Sequence, residues 1–141
     1  MQATLELGRQ VLAQQPFSQY LGAEVTAFSS GHAVLELPLR AELLQQNGFA
    51  HGGVLSYLAD NALTFAGGSV LGTAVVTSEF KINYLRPAMG DRLRVEAVVL
   101  HAGRSQAVVR CEIFALRGEE PLLCAAAQGT ITLLAQPAPR G

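Results

Sequence analysis

The chain has 141 residues, of which 50% are hydrophobic and 15% charged, with a formal net charge of -1. That balance excludes a disordered chain and leaves no electrostatic footprint for a nucleic-acid backbone or an anionic membrane. The length suits a single domain over residues 1–141, and so apolar a chain must hide much of its surface, as an oligomer does.

The N-terminal stretch, MQATLELGRQVLAQQPF, carries charged residues where a signal peptide needs an apolar core, which predicts a cytoplasmic protein. Residues 3–14 read as a helix with a modest apolar side from Leu5, Val11 and Leu12, stopped by Pro16, so residues 1–15 form an N-terminal helical segment. PFSQYLG follows as a turn-like or single-turn piece. Residues 23–29 and 32–38 read as strands around the Ser29-Ser30-Gly31 turn. Residues 39–50 form an irregular loop holding the turn pair Asn47-Gly48.

Residues 52–66 are the strongest helix candidate. Leu55, Leu58, Ala59, Ala62, Leu63 and Ala66 recur at the spacing of one helical face, and Gly67-Gly68 reads as the stop. The most apolar segment, Gly52 to Val76, is interrupted by Asp60, Asn61 and five glycines, so it reads as a core helix rather than a membrane span. The period then changes to two. Val76, Ser78, Phe80, Ile82 and Tyr84 alternate with Thr77, Glu79, Lys81 and Asn83 until Arg86-Pro87 ends the strand. Residues 92–101, 105–116 and 122–134 read as three more strands, separated by turn-forming stretches. The tail at 136–141 is expected to fray. Cys111 and Cys124 lack CxxC spacing and lie in strand-like runs, which suits buried free thiols rather than a disulfide framework or a metal site.

Strand runs beside one segregated helix argue an α+β fold with an antiparallel sheet. A helix that is apolar on most sides must be covered on most sides, which a strongly curved sheet achieves. Such a sheet leaves edge strands that a second subunit can pair with.

A helix starting near Gly52 presents unpaired N–H groups and the positive end of its dipole, and glycines at 52 and 53 let a ligand atom approach them. That geometry suits a polarised carbonyl oxygen or a developing oxyanion. Asp60 follows about two turns later on nearly the same face, in a polar stripe with Ser56, Tyr57 and Thr64. Taken one at a time, Asp60 also fits a solvated helix face, His51 a helix cap, and Asn47 a turn.

Together, Asn47, His51-Gly52-Gly53, Leu58 and Asp60, followed by Asn83-Tyr84-Leu85-Arg86-Pro87 and Gly103-Arg104, resemble the PaaI-like acyl-CoA thioesterases of the hotdog superfamily. The resemblance starts at PFSQYLG and runs over residues 16–134. It implies the hotdog fold, a curved antiparallel sheet around a long central helix. It also implies Asp60 as the catalytic carboxylate and the Gly52 N–H, beside Gly53, as the group that polarises the thioester carbonyl. Asn47 places the thioester or the water, His51 has a positional role, and Thr77 orients the attacking water. Arg86 and Arg104 are candidates for the coenzyme A phosphates.

In that family the two halves of a site come from different subunits, which implies a homodimer and commonly a homotetramer. A thioester is already activated, so no metal or cofactor is called for. Three matters stay open on the sequence: Asp60 as general base or as nucleophile, coenzyme A or an acyl-carrier protein as thiol carrier, and hydrolysis against non-catalytic acyl-CoA binding. Phe49, Leu55, Leu58, Leu63 and Phe65 are the candidate lining of a pocket for an apolar tail or an aromatic ring, and the acyl group itself is not readable.

Overall fold

The computed structural model describes residues 2–135, so the tail at 136–141 lies outside the described residues. Helix α1 (Leu5–Ala13) is capped by Thr4, whose Oγ1 accepts from the Leu7 N–H at 3.2 Å. PFSQYLG, read as turn-like or a single turn, is a short helix, α2 (Pro16–Leu21). Pro16 sits in its first turn, where a missing N–H is harmless, and Gly22 at φ 85° ends it.

Strands β1 (Glu24–Ser29) and β2 (His32–Pro38) form a hairpin. A loop with one 3-10 turn (Ala41–Leu43) leads to the long helix α3 (Gly52–Leu71). Strands β3 (Val75–Tyr84), β4 (Arg92–Ala102), β5 (Gln106–Arg117) and β6 (Glu120–Leu133) follow. The six strands form one antiparallel sheet in the order β1-β2-β4-β5-β6-β3.

Helix α3 packs against every strand of the sheet. The face expected to be apolar is buried throughout: Leu58, Ala59, Ala62, Leu63 and Ala66 are fully inaccessible, and Leu55 nearly so. They meet inward side chains such as Leu35, Val95, Ile113 and Ile131 in one continuous core. Burial of each large aliphatic side chain is worth about 1.5–3 kcal/mol, and this stripe supplies the main reason for the sheet to wrap. Ser69 ties the far end of the helix to the β1–β2 turn. Its Oγ accepts from the Gly31 N–H at 2.7 Å and donates to the Ala66 carbonyl at 2.6 Å.

Two sequence expectations are corrected. Gly67-Gly68 does not stop α3, which continues to Leu71 and ends at Gly72, φ 114°. The glycines are there for packing: a Cβ on Gly67 would lie 2.7 Å from Ile131 Cβ, and one on Gly68 3.3 Å from Val75 Cγ2. They let α3 approach β6 and β3 closely.

The second correction concerns β3. Unbroken alternation puts Thr77 on the opposite face from Phe80 and Ile82. The ladder to β6 is instead interrupted between Thr77 and Glu79 by a bulge. The extra residue turns Val75 and Thr77 to the same side as Phe80 and Ile82, all four half-buried, while Val76 and Ser78 are exposed.

Gly67→Ala is expected to lower stability by about 1–3 kcal/mol through overpacking against Ile131, despite the better helix propensity of alanine, in urea or thermal unfolding. Cys111 and Cys124 are both buried and free. Burial pushes the Cys111 thiol up to about 12 and raises the Cys124 thiol as well. Since the thiolate is the reactive form, the native protein should react slowly with a thiol reagent at neutral pH and release both thiols only on denaturation.

Candidate active site

Asp60 lies on the one stripe of α3 that the sheet leaves partly open, and its side chain is half-buried. The Thr77 hydroxyl donates to Asp60 Oδ1 at 2.5 Å, an approach made possible by the β3 bulge. Thr64, one turn further along α3, donates to the Asp60 backbone carbonyl at 2.8 Å and sits 2.9 Å from Thr77 Oγ1. An ionised carboxylate only accepts, so the Thr77 proton points at Asp60, and Thr64 divides its single proton between the other two acceptors. Asp60 Oδ2 has no hydrogen-bond donor among the described residues. One oxygen is therefore held and the other is free toward an open groove, whose walls include Gln14, Phe17, Tyr57, Asn61 and Val76.

The groove carries a polar cluster of which sequence reasoning found only Tyr57. Ser18 Oγ donates to Gln15 Oε1 at 2.6 Å and accepts from Tyr57 OH at 2.6 Å. Asn61 Nδ2 lies within 3.2 Å of Gln15 Oε1, Ser18 Oγ and Tyr57 OH. Burial raises the Tyr57 pKa, opposed by its hydrogen bonds to Ser18 and Asn61. The cluster joins the α1–α2 junction to the helix beside Asp60. Its long-range pairing left no local signal, although Asn61 stands next to the carboxylate in sequence.

The other end of α3 is organised by His51. It is the N-cap, and its Nδ1 accepts from the Gly53 N–H at 2.8 Å. Gly53 thus has a structural reason to be glycine: a Cβ there would lie 2.9 Å from His51 Nδ1. Its N–H is taken by the histidine, which leaves Gly52 as the open donor, with no acceptor among the described residues. A Cβ on Gly52 would meet only the Tyr84 ring at 3.6 Å, an ordinary contact. Tyr84, from the end of β3, donates to the Gly52 carbonyl at 3.1 Å and bonds Ser56 Oγ at 2.6 Å.

Gly52, Phe49, Leu55, Tyr84 and Arg86 share a second open groove. Asn47 sits in the preceding turn with an exposed side chain, and its own N–H donates to Gln45 Oε1.

The candidates are therefore not brought to one point within this chain. Gly52 and Asp60 are eight residues apart on one helix, an axial separation of about 12 Å, and they open into different grooves. Arg86 stands at the Gly52 end of the sheet. Arg104 lies in the β4–β5 turn at the opposite end, where β5 and β6 pair at Gln106 and Thr132. Of the apolar candidates, Phe49 and Leu55 line the Gly52 groove, Leu58 and Leu63 are sealed in the core, and Phe65 faces a separate pocket. Among the described residues no three His, Cys, Asp or Glu side chains converge as metal ligands would, and no helix is long and apolar enough to cross a membrane.

Residues 47–122 match the family model described as the thioesterase superfamily. The acyl-coenzyme A thioesterase PaaI of Escherichia coli is 37% identical over 94 residues, 66% of either chain. A putative esterase of Haemophilus influenzae is 30% identical over 133 residues, 93% of this chain and 94% of that one. Among solved structures, a thioesterase family protein from Silicibacter pomeroyi superposes with a TM-score of 0.85 at 34% identity, covering 90% of this chain and 96% of that one. The wrapped helix and six-stranded sheet are the hotdog fold.

The cap geometry sets two expected outcomes. His51→Ala removes the acceptor for the Gly53 N–H and should cost about 0.5–2 kcal/mol in denaturant unfolding. Gly53→Ala must displace the imidazole and lose the same cap, so it should unfold at lower denaturant than Gly52→Ala, which meets no obstruction.

Proposed function

The chain belongs to the thioesterase superfamily, and on that premise we propose that it hydrolyses acyl-coenzyme A thioesters to a free acid and coenzyme A. The observation that carries this reading is the state of Asp60, with Oδ1 held by Thr77 and Oδ2 open to a groove. A carboxylate oriented through one oxygen is suited to take a proton from water through the other.

In the proposed reaction, water attacks the thioester carbonyl carbon as Asp60 Oδ2 accepts its proton. The carbonyl oxygen becomes an oxyanion, for which the unpaired Gly52 N–H at the helix N-terminus, assisted by Asn47, is the donor. The C–S bond then breaks, and the thiolate leaves with the proton. Thr77 orients Asp60 and the water. His51 acts through position, by consuming the Gly53 N–H and leaving that of Gly52 free. Gly53 contributes space rather than a bond. Arg86 lines the Gly52 groove and suits the coenzyme A phosphates there; Arg104 could reach the same nucleotide only from another subunit.

The 12 Å between Gly52 and Asp60 along one helix means that the two cannot act on one carbonyl from the same chain. We therefore read the active unit as a homodimer. Each site takes the carboxylate of one subunit and the helix N-terminus of its partner, and β3, a sheet edge with Val76 and Tyr84 exposed and Leu85 exposed just after it, is the place to pair. Pairing of two dimers into a tetramer extends the same reading.

Asp60→Asn should lower kcat/KM for acyl-CoA by two or more orders of magnitude with the fold intact, measured by thiol release. Near-normal turnover would remove Asp60 from the mechanism. Gly52→Pro deletes one N–H at the helix position where proline is tolerated, after a residue already extended at φ -62°, ψ 138°. It should lose about 10²–10³-fold in kcat. Mixing these two inactive variants, with subunit exchange, should restore about a quarter of wild-type activity, because half of the dimers are mixed and each mixed dimer keeps one intact site. No recovery would mean that the halves do not come from different subunits. Single-turnover hydrolysis in labelled water separates the chemical routes: label appearing in Asp60 would replace the general base with a mixed anhydride.

A further inference from the structure

A further cavity shares lining side chains with the Asp60 groove, and the reaction as described does not use it. It lies under α1, between that helix, β1, α3 and the start of β3. Leu7, Val11, Phe28, Phe65 and Val75 give it mostly apolar walls, with Thr73 as a polar member beyond the two residues shared with the groove. Gln15 and Thr64 border both this cavity and the Asp60 groove, so the two spaces adjoin at these side chains. Thr64 is itself bonded to the Asp60 carbonyl and touches Thr77, which places this junction beside the carboxylate.

The sequence leaves this space empty by design of its small residues. Gly8 lets α1 settle on Phe28; a Cβ there would lie 3.1 Å from the ring. Phe28 in turn stands edge-on to Phe65, with centroids 5.7 Å apart at 88°, and the two rings fix one wall. Gly68 lines the end away from Asp60, where a Cβ would lie 3.3 Å from Val75 Cγ2. Leu7 and Val11, one turn apart on α1, line this space and remain partly accessible.

We propose that this cavity beneath α1 receives the acyl tail, and that it selects straight aliphatic chains of medium length. The proposal rests on the thioesterase reading of the Asp60 site. No charged residue lines the cavity, which suits a hydrocarbon and not a polar or ionised tail. The other groove, with Gln45 and Arg86 in its walls, suits the polar carrier instead.

Depth follows from the helix. Asp60, Thr64 and Gly68 are successive turns of one stripe, so Gly68 lies about 12 Å beyond the carboxylate along the axis. With C–C bonds near 1.5 Å in an extended zigzag, that depth holds a chain of roughly eight to ten carbons.

The test is an acyl-CoA series from acetyl to palmitoyl with the wild type, Val11→Phe, Leu7→Phe and Phe28→Ala. The wild-type kcat/KM should peak at octanoyl or decanoyl. Val11→Phe and Leu7→Phe fill the cavity from its partly accessible wall, and each should lower the decanoyl-to-butyryl ratio of kcat/KM at least ten-fold. Phe28→Ala should shift the peak toward longer chains. A chain-length profile unmoved by either filling variant would overturn the proposal.

Calorimetric binding of decanoate provides a readout independent of turnover. The wild type and Asp60→Asn should bind it, and Val11→Phe at least ten-fold more weakly. If no acyl-CoA is hydrolysed yet decanoate binds with this dependence on Val11, the cavity assignment stands and the thioesterase reading falls. If decanoate binds the wild type and Val11→Phe equally, or neither, the cavity assignment falls.

Discussion

The enclosure of α3 by the sheet is the constraint on which the rest depends. Every strand touches the helix, so the helix can carry polar chemistry only at its N-terminus and along one open stripe. A helix also has a fixed rise and a single direction. The free N–H at Gly52 and the carboxylate at Asp60 are thereby held about 12 Å apart, and no side-chain rotation can bring them together. The two open grooves follow from this spacing. The need for a second subunit in the proposed mechanism follows from it too, and the edge strand β3, which could meet a second copy, lies next to both grooves.

Placing Asp60 on the open stripe is not enough to make it a base, because an unrestrained carboxylate samples many orientations. The β3 bulge supplies the restraint. An ideal strand would alternate, and Thr77 would point away from the helix whenever Phe80 and Ile82 point toward it. The extra residue between Thr77 and Glu79 lets all three face inward. Thr77 then reaches Oδ1 while the hydrophobic half of the strand keeps its place in the core. A departure from regular geometry at this one position reconciles packing with the requirements of a site.

How far the sequence revealed these features depended on whether the signal was local. The helical spacing of Leu55 to Ala66 located the core face, because a long apolar helix has few other uses for that pattern. The period of two located the strands. It also placed Thr77 on the wrong face, since a bulge is decided by pairing with β6 and leaves no mark in β3 itself; only the family resemblance pointed to Thr77. Gly67-Gly68 read as a stop because glycine weakens helices, and the competing reason, close approach to Ile131 and Val75, is a tertiary fact. The Gln15–Ser18–Tyr57–Asn61 cluster joins residues up to 46 positions apart and could not be found from spacing. Leu58 and Leu63 were candidate pocket residues on hydrophobicity alone, but the sheet seals that face of α3.

The glycines of α3 sort by what each omits. Gly52 leaves an N–H uncovered, Gly53 leaves room for the imidazole that caps the helix, Gly67 leaves room for a strand, and Gly68 leaves part of a cavity unfilled. Asp60 lies eight residues after the first and eight before the last. The helix thus carries a donor at one end, a base at its middle and part of the lining of an apolar cavity near the other. In the proposed assembly the base and the cavity belong to the same subunit, whereas the oxyanion donor belongs to its partner. The substrate tail would be measured by the chain that also deprotonates the water. The carrier would be gripped by the other chain at its helix N-terminus. Chain-length selection and proton transfer would then share one rigid stripe, so a tail that fails to fill the cavity would leave its carbonyl out of position over Asp60.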